Sequence, residues 1–456
     1  MTRWILAGVS ALALLTAPGA ARAQTARLPL SQLLPALVTS AATLAVPHPQ
    51  DPGASFVPPL TPRPGDSNTF NFVNALPLNA NPAALNNALA LQVAGFPTVT
   101  VWSGAVGSTG ASGSPESPLM PGASAFGERA TTLGARRVTF GFSHQGTTFD
   151  AMDGLGLDNG VKLYFQYADC CPGNSPLSPE MERDLLEQSL QIDVHRDVYG
   201  FVANVGVNDR VDIGAMVPLV KVNLEGRITS RILRTATAAN PQLNRFDLLE
   251  LQSKTLNAAG SAHGLGDIQL HAKVRLVDAP GGGLALTGGV KFPTGDEQEW
   301  LGTGQFGGRV GAVWSATAGR FGPRVSAAYS RYGGGTAERP PDEVLAVGGT
   351  DVGLTRRFGV SAEVMFRQLM NAPRAERVTT VFANRGPGAL PSASITLGDD
   401  VKVSGPDASL QQVLGVVGGK LLLLENWVLH GDLVLPIKDD GVTPRFSFVA
   451  GLQYTF

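Results

Sequence analysis

Apolar and polar residues alternate with a period of two from about residue 96 to the end of the chain. The segment 445–456 shows this most clearly, because Phe446 and every second residue after it up to Phe456 are apolar or aromatic. Successive side chains of a β-strand point to opposite faces, so the alternation predicts strands with one apolar and one polar face. Earlier segments repeat the pattern in phase, and a slip of one residue would exchange the two faces. The chain is therefore predicted to be all-β over 96–456.

The polar face of the predicted strands carries too much charge for a dry core. In 267–277, Asp267, His271, Lys273 and Arg275 share one face. A polar face towards a wet lumen and an apolar face towards lipid form the pattern of a transmembrane antiparallel β-barrel. Composition agrees, because 16% of residues are charged, against about 25% in an ordinary soluble domain. No internal run approaches the roughly 18 apolar residues of a membrane-spanning helix.

The connections between the predicted strands alternate between short and long. Short turns fall near 208–209 and 425–426, and the longest loops are predicted at 225–265 and 371–408. Short periplasmic turns and long extracellular loops are typical of outer-membrane barrels. We predict about 14 strands, with 12 as the alternative, because the first and tenth segments have the weakest alternation. The predicted strands are 97–103, 138–149, 160–168, 189–207, 211–224, 266–277, 283–293, 307–317, 322–332, 343–354, 359–370, 409–423, 427–437 and 444–456.

The N-terminus has the features of a cleaved secretory signal peptide over residues 1–23. Arg3 supplies a positive charge, residues 4–15 form a short apolar stretch, and Ala21 to Ala23 form an A-x-A cleavage site. Export of a barrel-forming chain predicts a location in the bacterial outer membrane, in contact with lipid and lipopolysaccharide. The aromatic residue Phe456 at the end of the last strand predicts recognition by barrel-assembly machinery.

Residues 24–95 form a separate segment that is rich in Pro, Ala and Asn. Leucines recur at helical spacing in 30–44 and 82–93, and Asn81 can cap a helix that begins with Pro82. One interpretation is a hatch that enters the lumen and packs there through leucine side chains. The other is a disordered periplasmic tail, which the Pro and Asn content favours. The candidate hatch residues are Leu34, Leu37, Leu85 and Leu89.

Charged and histidine side chains on the polar face are candidates for a pore lining or a solute-binding site. A barrel of 12 to 14 strands has a wider lumen than one of about eight strands, whose side chains nearly fill the interior. The same groups could instead close the lumen through salt bridges, and the residues alone favour neither interpretation. The candidates are Asp267, His271, Lys273, Arg275, Lys291, Arg309, Glu363, Arg367, Lys420, His430, Asp432 and Arg445.

Sequence patterns of enzymes and cofactor sites are missing from the chain. It has no Gly-x-Ser-x-Gly elbow, no His-x-x-x-His pair and no phosphate-binding loop, so no catalytic residue, metal or cofactor is predicted. A net charge of −2 does not indicate nucleic-acid binding. The adjacent Cys170 and Cys171 lie in a predicted extracellular loop, where a vicinal disulfide is possible.

Short segments that follow one another between residues 126 and 456 resemble a family of Gram-negative outer-membrane proteins related to the MetA-pathway phenol-degradation group. They include Phe126–Ala130 (FGERA), Gly141–Gln145 (GFSHQ), Asp169–Gly173 (DCCPG), Phe201–Pro218 and Lys291–Glu297 (KFPTGDE). The resemblance implies a barrel of about 12 to 14 strands with a transport role and no catalytic residues. The predicted function is thus a channel or transporter for small solutes of hydrophobic or aromatic character. The alternative is a structural or adhesion-type barrel with a sealed lumen, whose long loops bind a partner.

Overall fold

The structure is a computed structural model, and it describes residues 28–42, 81–99, 126–166, 185–233, 246, 253–279, 282–334, 339–383, 394–424 and 426–456. The predicted signal peptide at 1–23 and the pair Cys170 and Cys171 lie outside the described residues. Within the described ranges, no helix is long and apolar enough to cross a membrane.

Two helices precede the strands: α1 is Leu30–Ala42 and α2 is Pro82–Ala94. The side chain of Asn81 accepts a hydrogen bond from the backbone N–H of Ala83 at 2.9 Å, so it caps α2 as the sequence predicts. The strands of the described chain are β1 Val138–Met152, β2 Leu155–Gly156, β3 Val161–Gln166, β4 Leu185–Asn208, β5 Val211–Leu233, β6 Ser253–Leu265, β7 Gln269–Ala279, β8 Gly282–Lys291, β9 Gly307–Ser315, β10 Phe321–Tyr332, β11 Asp342–Gly353, β12 Phe358–Ala372, β13 Ala375–Ala383, β14 Ser394–Val403, β15 Ala408–Leu424, β16 Trp427–Asp439 and β17 Val442–Thr455.

Twelve of these strands form a closed antiparallel barrel, in the order β1, β4, β5, β7, β8, β9, β10, β11, β12, β15, β16 and β17. The ring closes where β17 pairs with β1, from Thr139 opposite Thr455 to Met152 opposite Val442. Turns between ring strands are short at one end, as at 209–210, and we call it the turn end; the opposite end is the loop end. The predicted fold class is confirmed, with the alternative count of 12.

Two segments account for the difference between 14 predicted strands and 12 observed in the ring. The predicted strand 160–168 forms β3, which pairs with Leu185–Leu190 of β4 at the loop end, outside the ring. The predicted strand 97–103 is not a strand over 97–99, its described part. There, the backbone N–H of Val99 donates to the side chain of Gln145 rather than to a neighbouring strand. Alternation alone does not distinguish a wall strand from an extension or from a segment packed inside.

The outward face of the ring is apolar and carries aromatic residues near both edges. At the turn end, the ring of Phe456 lies 5.9 Å from Phe140 and 4.5 Å from Tyr454. Towards the loop end, Tyr199 and Phe448 flank His144 at 4.7 Å and 5.2 Å. Between these levels, large apolar side chains stay exposed in the isolated chain. An apolar belt flanked by aromatic girdles is the surface that a bilayer covers.

The strands continue past this belt into what the sequence predicts as long loops. β4 has 24 residues, whereas a membrane-spanning strand needs about 9 to 11. β5 runs on to Leu233 and pairs with β6 from Leu219 opposite Leu265 to Arg231 opposite Ser253. The predicted loop 225–265 is therefore wrong over its described part, and β13 and β14 likewise replace much of 371–408. The outward row of β5 changes from apolar to polar after Leu219, because that face passes from lipid into water.

The interior differs between the two ends. At the turn end it is polar, whereas at the loop end Ile192, Val194 and Leu224 point inward into an apolar core shared with both helices. The expectation of a wet, polar lumen is therefore wrong for the loop end, because helices occupy that space and exclude water. Close approach of α1 depends on Gly260 of β6, where an added Cβ would lie 2.7 Å from Leu30.

Candidate functional site: the lumen and the chain that fills it

The predicted lumen residues fall into three groups by exposure. His271, Arg275 and Lys291 are half-buried. Arg309 and Arg445 are exposed, and Arg445 lies at a β-bulge that takes it out of the inward phase of β17. For Arg445 the prediction of a lumen position is therefore wrong, because the inserted residue shifts the alternation. The buried ones are Asp267, Lys273, Glu363, Arg367, Lys420, His430 and Asp432.

A buried ion-pair network lies inside the turn end. Arg324 donates through Nε to Glu363 at 2.7 Å and is also hydrogen bonded to Asp351. Nearby, His430 Nδ1 and Asp432 Oδ2 are 3.2 Å apart. Buried charges are stable only when paired, so this network fixes the wall strands β10, β11 and β12 relative to one another. The sequence analysis missed Arg324 and Asp351, although both lie on the inward phase of predicted strands.

The segment 126–135, which we call the latch, crosses the turn end just before β1. Arg129 Nη1 lies 3.3 Å from Asp351 Oδ2, and Lys273 Nζ donates to the backbone carbonyl of Arg129 at 3.0 Å. The backbone N–H of Leu133 donates to both carboxylate oxygens of Asp212, at 3.0 and 3.1 Å. These contacts connect the latch to β5, β7 and β11 on different sides of the lumen.

Further latch contacts come from two uncharged side chains and from one ion pair. The N–H of Ala130 donates to Ser315 Oγ at 3.0 Å, and Thr132 Oγ1 donates to the carbonyl of Asp209 at 2.7 Å. Lys273 Nζ also lies 3.5 Å from the carboxylate of Glu128. The latch has no periodic apolar pattern, so only its place in the resembling segment FGERA marked it in the sequence.

The two helices occupy the loop end. The candidate hatch residues Leu34, Leu37, Leu85 and Leu89 are all buried there. Gln188 of β4 donates to the carbonyl of Val38 at 3.1 Å, and Lys254 of β6 donates to that of Ser40 at 3.2 Å. Both bonds are made to the C-terminal part of α1, and Ser40 lies in the last turn, where carbonyls have no partners within the helix.

The chain leaving α2 runs down into the barrel. Gln92 Oε1 accepts from the N–H of Val442 at 2.8 Å. Arg367 Nη2 donates to the carbonyl of Gly95 at 2.6 Å, and the same guanidinium is paired with Glu343. The ring of Phe96 lies 5.3 Å from Phe149 in an edge-to-face arrangement. Arg367, predicted to line the pore, therefore holds the chain that enters it.

Between the entering chain and the wall formed by β7 to β11, a cavity of about 130 Å³ remains. Its lining combines aromatic and apolar groups with two cations, Lys291 and Arg309. Lys291 Nζ lies 3.2 Å from Asp267 and 5.5 Å from the ring centre of Tyr332. The helices and the latch thus occupy the two ends of the lumen, and this cavity lies between them.

A wider depression of about 760 Å³ lies outside the ring, between β3 to β6 and β14. Tyr164 donates to Glu187 at 2.9 Å beside it. Burial raises the pKa of the Tyr164 phenol above its usual range, and the bond to Glu187 acts in the same direction.

A closed antiparallel barrel with an apolar outer belt, aromatic girdles and polar groups inside is a transmembrane β-barrel of the bacterial outer-membrane class. A family model described as "Putative MetA-pathway of phenol degradation" matches residues 182–389. The resemblance inferred from the sequence is confirmed over that range. No curated protein sequence matches the chain.

Several solved structures resemble the barrel at low sequence identity. An outer membrane channel from Pseudomonas putida F1 is 12% identical with a TM-score of 0.39, and the match covers 72% of this chain and 98% of that one. A Pseudomonas aeruginosa FadL homologue is 11% identical with a TM-score of 0.29, covering 70% and 89%. The monoaromatic hydrocarbon channel CymD is 10% identical with a TM-score of 0.23, covering 71% and 88%.

Proposed function

We propose that this protein is an outer-membrane channel for small solutes of hydrophobic or aromatic character, and that the chain preceding β1 is its gate. The turn end would face the periplasm and the loop end the exterior, because short turns are periplasmic in such barrels. In this arrangement α1 and α2 form the outer hatch and the latch forms the inner one.

The observation that carries the proposal is how the preceding chain is attached. The described part of it that follows α2 is held by individual hydrogen bonds and ion pairs to several wall strands, and a cavity of about 130 Å³ is left between it and the wall. A barrel that served only as a rigid support would gain by filling this space, since empty volume costs stability. Polar attachments, by contrast, can be exchanged for water when the chain moves.

The apolar core at the loop end supports the solute class. Inward-facing Val194, Val222 and Leu224 meet the helices in a continuous apolar surface. A solute that passes there must replace helix side chains against this surface, and an apolar solute does so without leaving polar groups unpaired. The description of the matching family points in the same direction.

Conductance across planar bilayers tests the proposal. Three proteins would be compared: the mature chain, a variant lacking residues 24–95, and that deletion combined with Arg129→Met. We expect little conductance from the first, more from the second and most from the third, because the latch still crosses the lumen after the helices are removed. Heat-dependent migration in gels would show that each barrel is folded.

Absence of conductance in all three folded proteins would overturn the channel proposal. The sealed-lumen alternative, in which the long loops bind a partner, would then replace it. If the channel conducts, uptake of a labelled single-ring hydrocarbon and of a sugar of similar mass by expressing cells would test the solute class. Equal enhancement of both by the protein would contradict a hydrophobic preference.

A further inference from the structure

The lumen cavity has an uneven balance of charge. Two acids line it, Glu128 and Glu343. Glu128 lies 3.5 Å from Lys273, and Glu343 is ion-paired with Arg367. Each of these carboxylates therefore has a basic partner that neutralises it.

The two lining cations differ in how far they are neutralised. Lys291 has Asp267 at 3.2 Å. Arg309 has no hydrogen-bond or ion-pair partner among the residues that the structure describes, and its side chain is exposed to the lumen space. Among the described lining residues, one positive charge is left over after pairing, on a guanidinium whose planar fork of N–H donors matches a carboxylate.

Other lining residues form an apolar surface that suits the apolar part of a ligand. Phe96, Phe126 and Leu345 contribute to the wall, and the ring of Tyr332 stands beside Lys291. A volume of about 130 Å³ holds about four water molecules at their liquid density. That space is of the size of one aromatic ring with a small substituent.

We propose that this cavity is a binding site for a small aromatic monocarboxylate, held inside the closed channel. The carboxylate forms a bidentate contact with Arg309, close to Lys291, and the ring packs against Phe96 and Phe126. The proposal rests on the function proposed above and makes it specific: the solute carries an apolar ring and also one negative charge.

Isothermal titration of the full mature protein with benzoate and with benzamide at neutral pH tests the site. The two probes have the same shape, and only benzoate is charged. Charge-assisted hydrogen bonds exceed neutral ones, so we expect benzoate to bind about tenfold or more tightly than benzamide. Arg309→Gln should bring benzoate down to the affinity of benzamide and leave benzamide unchanged. Arg309→Lys should give an intermediate affinity, because it keeps the charge and loses the fork.

Arg331→Gln is the matched control. Arg331 lies opposite Gly308 in the β9–β10 pairing, and it points to the outer face. The Arg331→Gln variant loses the same charge from the same part of the wall, and benzoate should bind to this variant as tightly as to the unchanged protein. Absence of benzoate binding, equal affinity for the two probes, or full benzoate affinity in Arg309→Gln would each overturn the site. Conductance through the gate variants is measured separately, so it can succeed while this site fails.

Discussion

Arg129 is the residue whose removal should loosen the latch most cleanly. Its guanidinium lies 3.3 Å from Asp351 Oδ2 and donates to the carbonyl of Ala316 at 3.2 Å and to Thr317 Oγ1 at 3.0 Å. In Arg129→Met the apolar stem is largely kept. Asp351 stays paired with Arg324, so no buried charge loses its only partner.

The expected effect follows from the three lost contacts. A hydrogen bond contributes about 1 kcal/mol net, and the charged one somewhat more, which gives about 3 kcal/mol in total. Since about 1.4 kcal/mol corresponds to a factor of ten, the ratio of open to closed latch should rise about 100-fold. The contacts of Lys273, Ser315 and Asp212 remain, so the latch should open intermittently rather than be lost.

Single-channel recording at fixed voltage measures the open probability of Arg129→Met in the variant lacking residues 24–95, beside that variant with Arg129 retained, because the helices would otherwise still obstruct the loop end. Arg331→Met is the control, because it makes the same chemical change on the outer face of β10. We expect a large rise in open probability for the first and none for the second. If the folded deletion variant shows the same open probability with Arg129→Met as with Arg129 retained, the latch does not obstruct the current path, and the reasoning is refuted.

Other predictions concern the helices and the loop end. Gly260→Val should displace α1, because a Cβ there would lie 2.7 Å from the side chain of Leu30. Limited proteolysis should then cut the N-terminal segment faster. Gly308→Ala is the control and should leave the cleavage rate unchanged, because a Cβ at Gly308 has open space around it. Leu89→Ala should destabilise the packing of α2 by about 2 to 5 kcal/mol, and hydrogen exchange in α2 would rise, with unchanged exchange contradicting its buried position. Tyr164 should ionise above the usual phenol range because burial raises its pKa. The stability that this group contributes is present at and below the usual range and falls as the pH rises through the raised pKa. Absorbance at 295 nm, compared between the unchanged protein and Tyr164→Phe, measures the ionisation, and ionisation near the ordinary phenol pKa would contradict the prediction.

The wall of the barrel could be predicted from the sequence because lipid outside and polar groups inside impose a period of two on every strand. The same period continues where β4 and β5 leave the bilayer, since one face still packs and the other meets water. For this reason 160–168 looked like a wall strand. The segment 225–265 instead looked like a loop, because the outward face of the strand is polar there.

The interior was harder to predict, because it depends on contacts between distant segments. Helical spacing and the cap at Asn81 marked both helices, and their leucines are buried. No residue pattern predicted the contacts of the latch, since Arg129 and Leu133 are held through backbone and charge contacts with partners up to 222 residues away. The shift of Arg445 out of phase arises from a bulge that no local residue pattern announces.

The seam of the barrel joins its first and last strands: the hydroxyls of Thr139 and Thr455 are 3.0 Å apart across 316 residues of chain. Bringing such distant segments together costs chain entropy before any contact between them contributes stabilising energy. We therefore expect the seam to form late, after the other ring strands have paired. Because the latch directly precedes β1, we expect the latch to lie inside the ring by the time β1 pairs with β17. Any later opening must move this filling within the lumen or through an end of the barrel, since the wall itself is continuous.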